Sequence, residues 1–163
     1  MSRRQLAIAL LIVQAFTTHA WAQGVAIRLG AGPAYASGIG VAGLAAFEAR
    51  GGAVIFRADG RFVSVGDKAQ VAYGGAALGL ATSKPGATLR PYVLATLARG
   101  VDVREFDPAT AVGIALGVDR ARPGGLFAEL RYEHSSPREN PTPYYRLPRN
   151  QVTVSGGLRI GSP

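Results

Sequence analysis

The sequence has no cysteine and only two histidines in 163 residues. Without thiols there is no disulfide scaffold, no thiolate metal site and no cysteine nucleophile. His19 and His134 lie far apart in the chain, so no histidine cluster has metal-ligand spacing, and neither metal nor cofactor is expected. Acids are scarce: 10 Asp and Glu stand against 18 Lys and Arg, a formal net charge of +8. Long apolar runs are scarce too. None beyond the first segment approaches the roughly 20 residues that a spanning helix needs. Glycine, by contrast, is abundant at 22 residues. Each costs about 1 kcal/mol inside a helix, which argues against a helical bundle. Hydrophobic residues make up 48% of the chain, too many for a disordered one. The length suits a single domain.

Residues 1–22 read as a secretory signal peptide. Arg3 and Arg4 form its positive start, Leu6 to Phe16 its apolar stretch, and Ala20-Trp21-Ala22 its small-residue cleavage pattern. The apolar stretch is too short to span a bilayer as a helix. The predicted mature domain is 23–163, beginning at Gln23. Its charge is +6, since the leader removes two Arg and no acid.

Most of the remaining chain alternates with period two rather than 3.6. In the last such segment Val152, Val154, Leu158 and Ile160 share one face, while Gln151, Thr153, Ser155 and Arg159 share the other. Leu126, Ala128, Leu130 and Tyr132 oppose Glu129, Arg131 and Glu133 in the same way. Eight strands are predicted, at 24–36, 38–49, 53–64, 69–82, 88–99, 110–120, 126–136 and 149–161. The 69–82 segment has the least contrast between its faces. Short connections rich in Gly or Pro follow the second, fourth and sixth strands. The longest, near 100–109 and 137–149, follow the fifth and seventh. Short periplasmic turns and longer outer loops produce this pattern in a membrane barrel. The first two outer loops depart from it, being as short as the turns.

The charged residues fall on the face opposite the apolar one. Arg28, Arg57, Arg90, Arg131 and Arg159 lie there with Glu48, Asp59, Asp119, Glu129 and Glu133. In a secreted β-sandwich this face would meet water. In an eight-strand barrel it lines a lumen narrow enough to be filled by side chains. Charges buried there must be paired, and arginine suits bidentate pairing. Small, weakly hydrophobic outer faces, strands of spanning length, and aromatics near strand ends (Tyr35, Phe47, Phe62, Tyr73 and Tyr132) favour the barrel. The expected fold is all-β: an eight-stranded antiparallel transmembrane up-and-down β-barrel after a cleaved signal peptide.

Leu89-Arg90-Pro91-Tyr92-Val93-Leu94, Phe127-Ala128-Glu129-Leu130-Arg131-Tyr132 and the closing Gln151 to Ile160 run resemble the small outer-membrane β-barrel family. That family includes the barrel domain of OmpA-type porins. The resemblance spans the mature chain and implies the outer membrane of a Gram-negative-type bacterium as its location. It also implies the outer-membrane assembly machinery as a partner, although the family's terminal aromatic is replaced here by Ile160-Gly161-Ser162-Pro163.

Three constellations bear on chemistry. Gly38-Ile39-Gly40-Val41-Ala42-Gly43 matches the dinucleotide pattern G-x-G-x-x-G, with Asp59 near the ribose-binding position. No strand feeds the glycine turn, so the glycines read as places where a barrel strand bends and packs closely. His134 and Ser136 share a strand face on the lipid side, and a His beside a Ser can act as general base in acyl transfer. This arrangement resembles the H-x-S motif of the lipid A 3-O-deacylase family. The resemblance implies an orienting carboxylate near the start of the last strand, where this chain has Asn150-Gln151; Glu139 lies in the nearby loop. With no such acid catalysis is badly weakened, and the two residues read as a polar rim. Arg138, Tyr144, Tyr145, Arg146 and Arg149 mix cations with aromatics and are candidate contacts for lipopolysaccharide phosphates.

The expectation is a monomeric, non-enzymatic outer-membrane protein with a structural or surface-interaction role, whose partners are membrane lipid and lipopolysaccharide. Nucleic acid is not expected as a partner, because the charge is dispersed and the chain is exported. The alternatives are a lipid A acyl hydrolase using His134, Ser136 and Glu139, and a small passive channel.

Overall fold

The computed structural model describes residues 24–65, 69–82, 87–102, 108–120, 124–137 and 149–161. The predicted signal peptide lies outside them. Eight strands follow one another: β1 (Gly24–Tyr35), β2 (Ile39–Gly51), β3 (Val54–Val65), β4 (Ala69–Ala81), β5 (Leu89–Asp102), β6 (Pro108–Arg120), β7 (Gly125–Pro137) and β8 (Asn150–Gly161). Each pairs antiparallel with its sequence neighbours, and β8 pairs with β1, so the sheet closes into a barrel. Closure removes the exposed sheet edges that an open sandwich would carry.

The strands form where side-chain character alternates, and the alternation is inverted relative to a water-soluble protein. Leu126, Leu130, Leu97 and Ile114 point outward and are exposed; Arg28, Glu48 and Arg57 point inward and are fully buried. This arrangement suits a solvent of lipid around a polar interior. β4 pairs with β3 in full, from Ala69 opposite Val65 to Leu80 opposite Val54, despite its weak contrast. Its place is fixed by ladders to neighbours on both sides. β5 runs to Asp102, and β6 starts at Pro108, each a little beyond the predicted bounds.

Turns and close approaches use glycine. Gly52 and Gly124, at two of the short turns, have φ of 59° and 68°, which L side chains rarely adopt. At the closing seam Gly157 of β8 sits opposite Gly30 of β1, and a Cβ at 157 would stand 2.0 Å from the Leu29 carbonyl oxygen.

Of the predicted aromatic girdle, Tyr35, Phe47, Phe62 and Tyr132 face outward. Tyr73 is a correction: it points into the lumen and is buried. Its position in β4 shares the inward phase of Val71 and Ala77, which the strand's weak contrast hides. A strand does precede the glycines, since β1 runs through Pro33 to Tyr35, so the dinucleotide pattern fails for a different reason than the sequence suggested. Gly38 lies in the loop after β1, and Ile39 to Gly43 form the start of β2, so no helix follows the glycines to bind phosphate.

Candidate functional site

Inside the barrel β3 and β7 stand on opposite walls, and each presents three charged residues at alternate positions. β3 carries Arg57, Asp59 and Arg61; β7 carries Glu129, Arg131 and Glu133. The two sets meet across the lumen rung by rung. Arg57 Nη1 donates to Glu129 Oε2, Arg131 Nη2 donates to Asp59 Oδ2 at 2.9 Å, and Arg61 Nη1 and Nη2 fork onto both oxygens of Glu133. Contacts along each strand tie the rungs together: Arg61 Nε reaches Asp59 at 3.2 Å, and Arg131 reaches Glu129 at 2.9 Å.

A second cluster lies next to the lowest rung, toward the end of the barrel that holds the short turns. Glu48 accepts from Arg50 at 2.7 Å and from Arg57 at 2.9 Å, and lies 2.8 Å from Arg28. Asp119 accepts from Arg28 at 2.8 Å and from Arg50. Arg159 approaches Glu48 and Asp119 at 3.5 Å. Tyr92 links the two clusters: its hydroxyl accepts from Arg28 at 3.0 Å and donates to Glu129 at 2.8 Å. The Arg28 guanidinium also lies 4.9 Å from the Tyr92 ring centroid and 5.0 Å from that of Phe127, within cation–π range.

Small apolar residues close the lumen toward the longer connections. Ala34, Ala42, Val63, Val65, Val71 and Tyr73 pack there with Ala98, Ala109 and Ala111. Tyr73 donates to Gln151 Oε1 at 3.2 Å.

Nine of the ten residues expected to line the lumen are therefore buried there together. Arg90 is the exception. It lies opposite Asp119 in register but is half-buried at the start of β5, where water reaches the strand end, and joins none of these ion pairs. Arg50 and Arg61 were missed. They continue the phase of Glu48 and Asp59, which is the signal that could have found them. Among the described residues six buried guanidiniums meet five buried carboxylates, an excess of one positive charge.

On the outside, His134 and Ser136 are both exposed on the lipid-side face of β7. His134 Nδ1 lies 3.0 Å from Asn150 Oδ1, which also accepts from the Tyr132 hydroxyl at 3.0 Å. A carbonyl oxygen can only accept, so this contact suits the tautomer of the neutral ring that carries its proton on Nδ1 and keeps Nε2 as an acceptor. The place where the deacylase resemblance implies a carboxylate is thus held by a neutral amide, Asn150. Arg149 is exposed beside this group, and its carbonyl accepts from the Ser135 N–H at 2.7 Å. Arg138, Glu139, Tyr144, Tyr145 and Arg146 lie outside the described residues.

No family model and no curated protein matches the sequence. Among solved structures the chain is similar to Neisserial surface protein A, with a TM-score of 0.66 and 16% identity over 87% of this chain and 99% of that one. The chain has the fold of a small, eight-stranded transmembrane β-barrel. A de novo designed transmembrane β-barrel is also similar, with a TM-score of 0.46 and 12% identity over 85% of this chain and 97% of that one. At these identities the likeness is one of fold, and it does not extend to the OmpA-type subgroup or to the deacylase motif.

Proposed function

We propose that this protein is a non-enzymatic component of the outer membrane of a Gram-negative-type bacterium, exported by its leader, with a structural or surface-interaction role. The observation that carries this reading is the filled lumen. Three cross-wall rungs and an apolar cap occupy the space that a channel would leave for water. Among the described residues each of the five lumen carboxylates is engaged by at least one guanidinium, so none of these stands ready for acid–base work on a substrate. A passive channel is disfavoured on the same grounds. In a planar lipid bilayer the purified barrel is expected to show no stepwise conductance, and the protein is expected to fractionate with the outer membrane. Regular single-channel steps would refute the closed-lumen reading.

One observation favours a second reading. The Asn150 carbonyl orients His134 with Nε2 available as a base, on the same strand face as Ser136. A lipid A acyl hydrolase would use that pair. Asn150 orients the imidazole but carries no charge to stabilise an imidazolium. Mass spectrometry of lipid A from cells with and without the gene decides between the two readings: unchanged acylation supports the non-enzymatic one, and loss of an acyl chain that depends on both His134 and Ser136 replaces it.

A further inference from the structure

The outward face of the barrel changes character in one sector. On β5 and β6 the apolar belt reaches Leu97 and Val112, which lie opposite each other, and on β7 it stops at Tyr132, so that the polar His134 stands opposite Val112. Two residues further toward the long connections, Arg99 lies opposite Thr110, and Thr110 opposite Ser136. His134 continues the row to Asn150 on β8, next to Arg149. All of these polar side chains are exposed. The sector spans three strand spacings, on the order of 15 Å. On the other side of the barrel Tyr35, Ile39, Val41 and Phe62 face outward, and the polar positions in that phase, Ser64 and Gln70, are uncharged and half-buried.

Charge in this sector has one sign. Among the described side chains every carboxylate is buried in the lumen, whereas Arg99 faces outward and Arg149, level with the inward-facing Ser135, is exposed at the rim just before β8. Arginine forks onto phosphate oxygens bidentately, and hydroxyl and amide groups suit sugar hydroxyls and acyl carbonyls. Directly below lie the aliphatic Leu97 and Val112, against which acyl chains pack. We infer that Arg99, Thr110, Ser136, His134, Asn150 and Arg149 form an external site for the phosphorylated headgroup of an outer-leaflet glycolipid. This inference rests on the reading of the chain as an outer-membrane barrel with its long connections outermost. It adds a partner and the residues that hold it. All of these residues except Arg149, which immediately precedes β8, lie on the barrel wall, so their register is set by the β-ladder rather than by a loop.

The test is native mass spectrometry of the folded barrel in detergent micelles, offered either bisphosphorylated lipid A or lipid A stripped of phosphate. The expected result is retention of the bisphosphorylated lipid, with retention of the stripped lipid weaker by roughly tenfold or more, the scale of one lost charge-assisted fork. Combining Arg99→Gln with Arg149→Gln should lower retention of the bisphosphorylated lipid by a similar factor. Arg120→Gln, exposed at the opposite end of the barrel, should change nothing. Equal retention of the two lipids, or undiminished retention by the folded double variant, overturns the site. If the double variant fails to fold, Asn150→Asp is read instead: a carboxylate there should repel phosphate, and unchanged retention overturns the site. A barrel that reaches the outer membrane but discriminates neither lipid refutes this site alone. Absence from the outer membrane refutes the broader reading.

Discussion

The cross-lumen ladder gives the sharpest stability prediction. Glu133 is almost fully buried, receives a fork from Arg61, and accepts from Thr96 at 3.2 Å. Glu133→Gln removes its charge while keeping its shape and raises the lumen's positive excess from one to two. Removing one partner of a buried ion pair costs about 3–5 kcal/mol, because the other charge is left uncompensated in a medium that cannot solvate it. Arg61→Gln brings the excess to zero, leaves Asp59 held by Arg131 and leaves Glu133 with Arg131 at 3.8 Å, so it should cost less. The double variant should recover part of the sum, with a coupling of about 0.5–3 kcal/mol. The assay is equilibrium urea unfolding in phosphatidylcholine vesicles. It is read by the mobility of the folded band on unheated gels, since the single tryptophan, Trp21, lies in the predicted leader. A cost below about 1 kcal/mol for Glu133→Gln would show that the rung behaves as a solvated surface pair, and would refute a dry, filled lumen.

Three further outcomes are expected. Leu130→Arg and Val154→Arg, both on the lipid face, should each cost about 2–4 kcal/mol in the same titration, and tolerance of both would contradict the outward assignment of that face. Gly157→Ala should destabilise the seam between β1 and β8 by about 1–3 kcal/mol, because its Cβ meets the Leu29 carbonyl; unchanged stability would mean the seam is looser than the structure has it. Asn150→Ala should leave the barrel folded and free the His134 ring from its Nδ1 partner, which imidazole nitrogen NMR shifts would register as a mixture of tautomers. A single unchanged tautomer would refute the orienting bond.

Much of the architecture was legible in the chain. Period-two alternation in residues such as Leu126 to Glu133 and Gln151 to Ile160 marks strands with two unlike faces, because successive side chains point to opposite sides of a sheet. The same phase places Arg28, Glu48 and Asp119 on the inner face, and it also covers Arg50 and Arg61, which lie one step further along runs already identified. The phase does not locate water. Arg90 has the inward phase but sits at a strand end, where exposure replaces pairing.

Other features depend on closure. Arg57-x-Asp59-x-Arg61 and Glu129-x-Arg131-x-Glu133 are visible as alternating triplets, and their composition alone fixes that each must be neutralised if buried. That they neutralise each other follows only from the barrel, which sets β3 and β7 on opposite walls at matching height. Tyr73 turns inward because β4 takes its phase from the ladders on both sides, not from its own weak contrast. Asn150 reaches His134 because the register of β7 and β8 makes them opposite neighbours across a long connection. Local alternation is enough to mark the strands, their two faces and the face that carries the charges, since these depend on neighbours one and two residues apart. The tertiary structure decided which charges meet and which polar groups share a rim, since those contacts join residues far apart in the chain, and their register is fixed only when the sheet closes on itself.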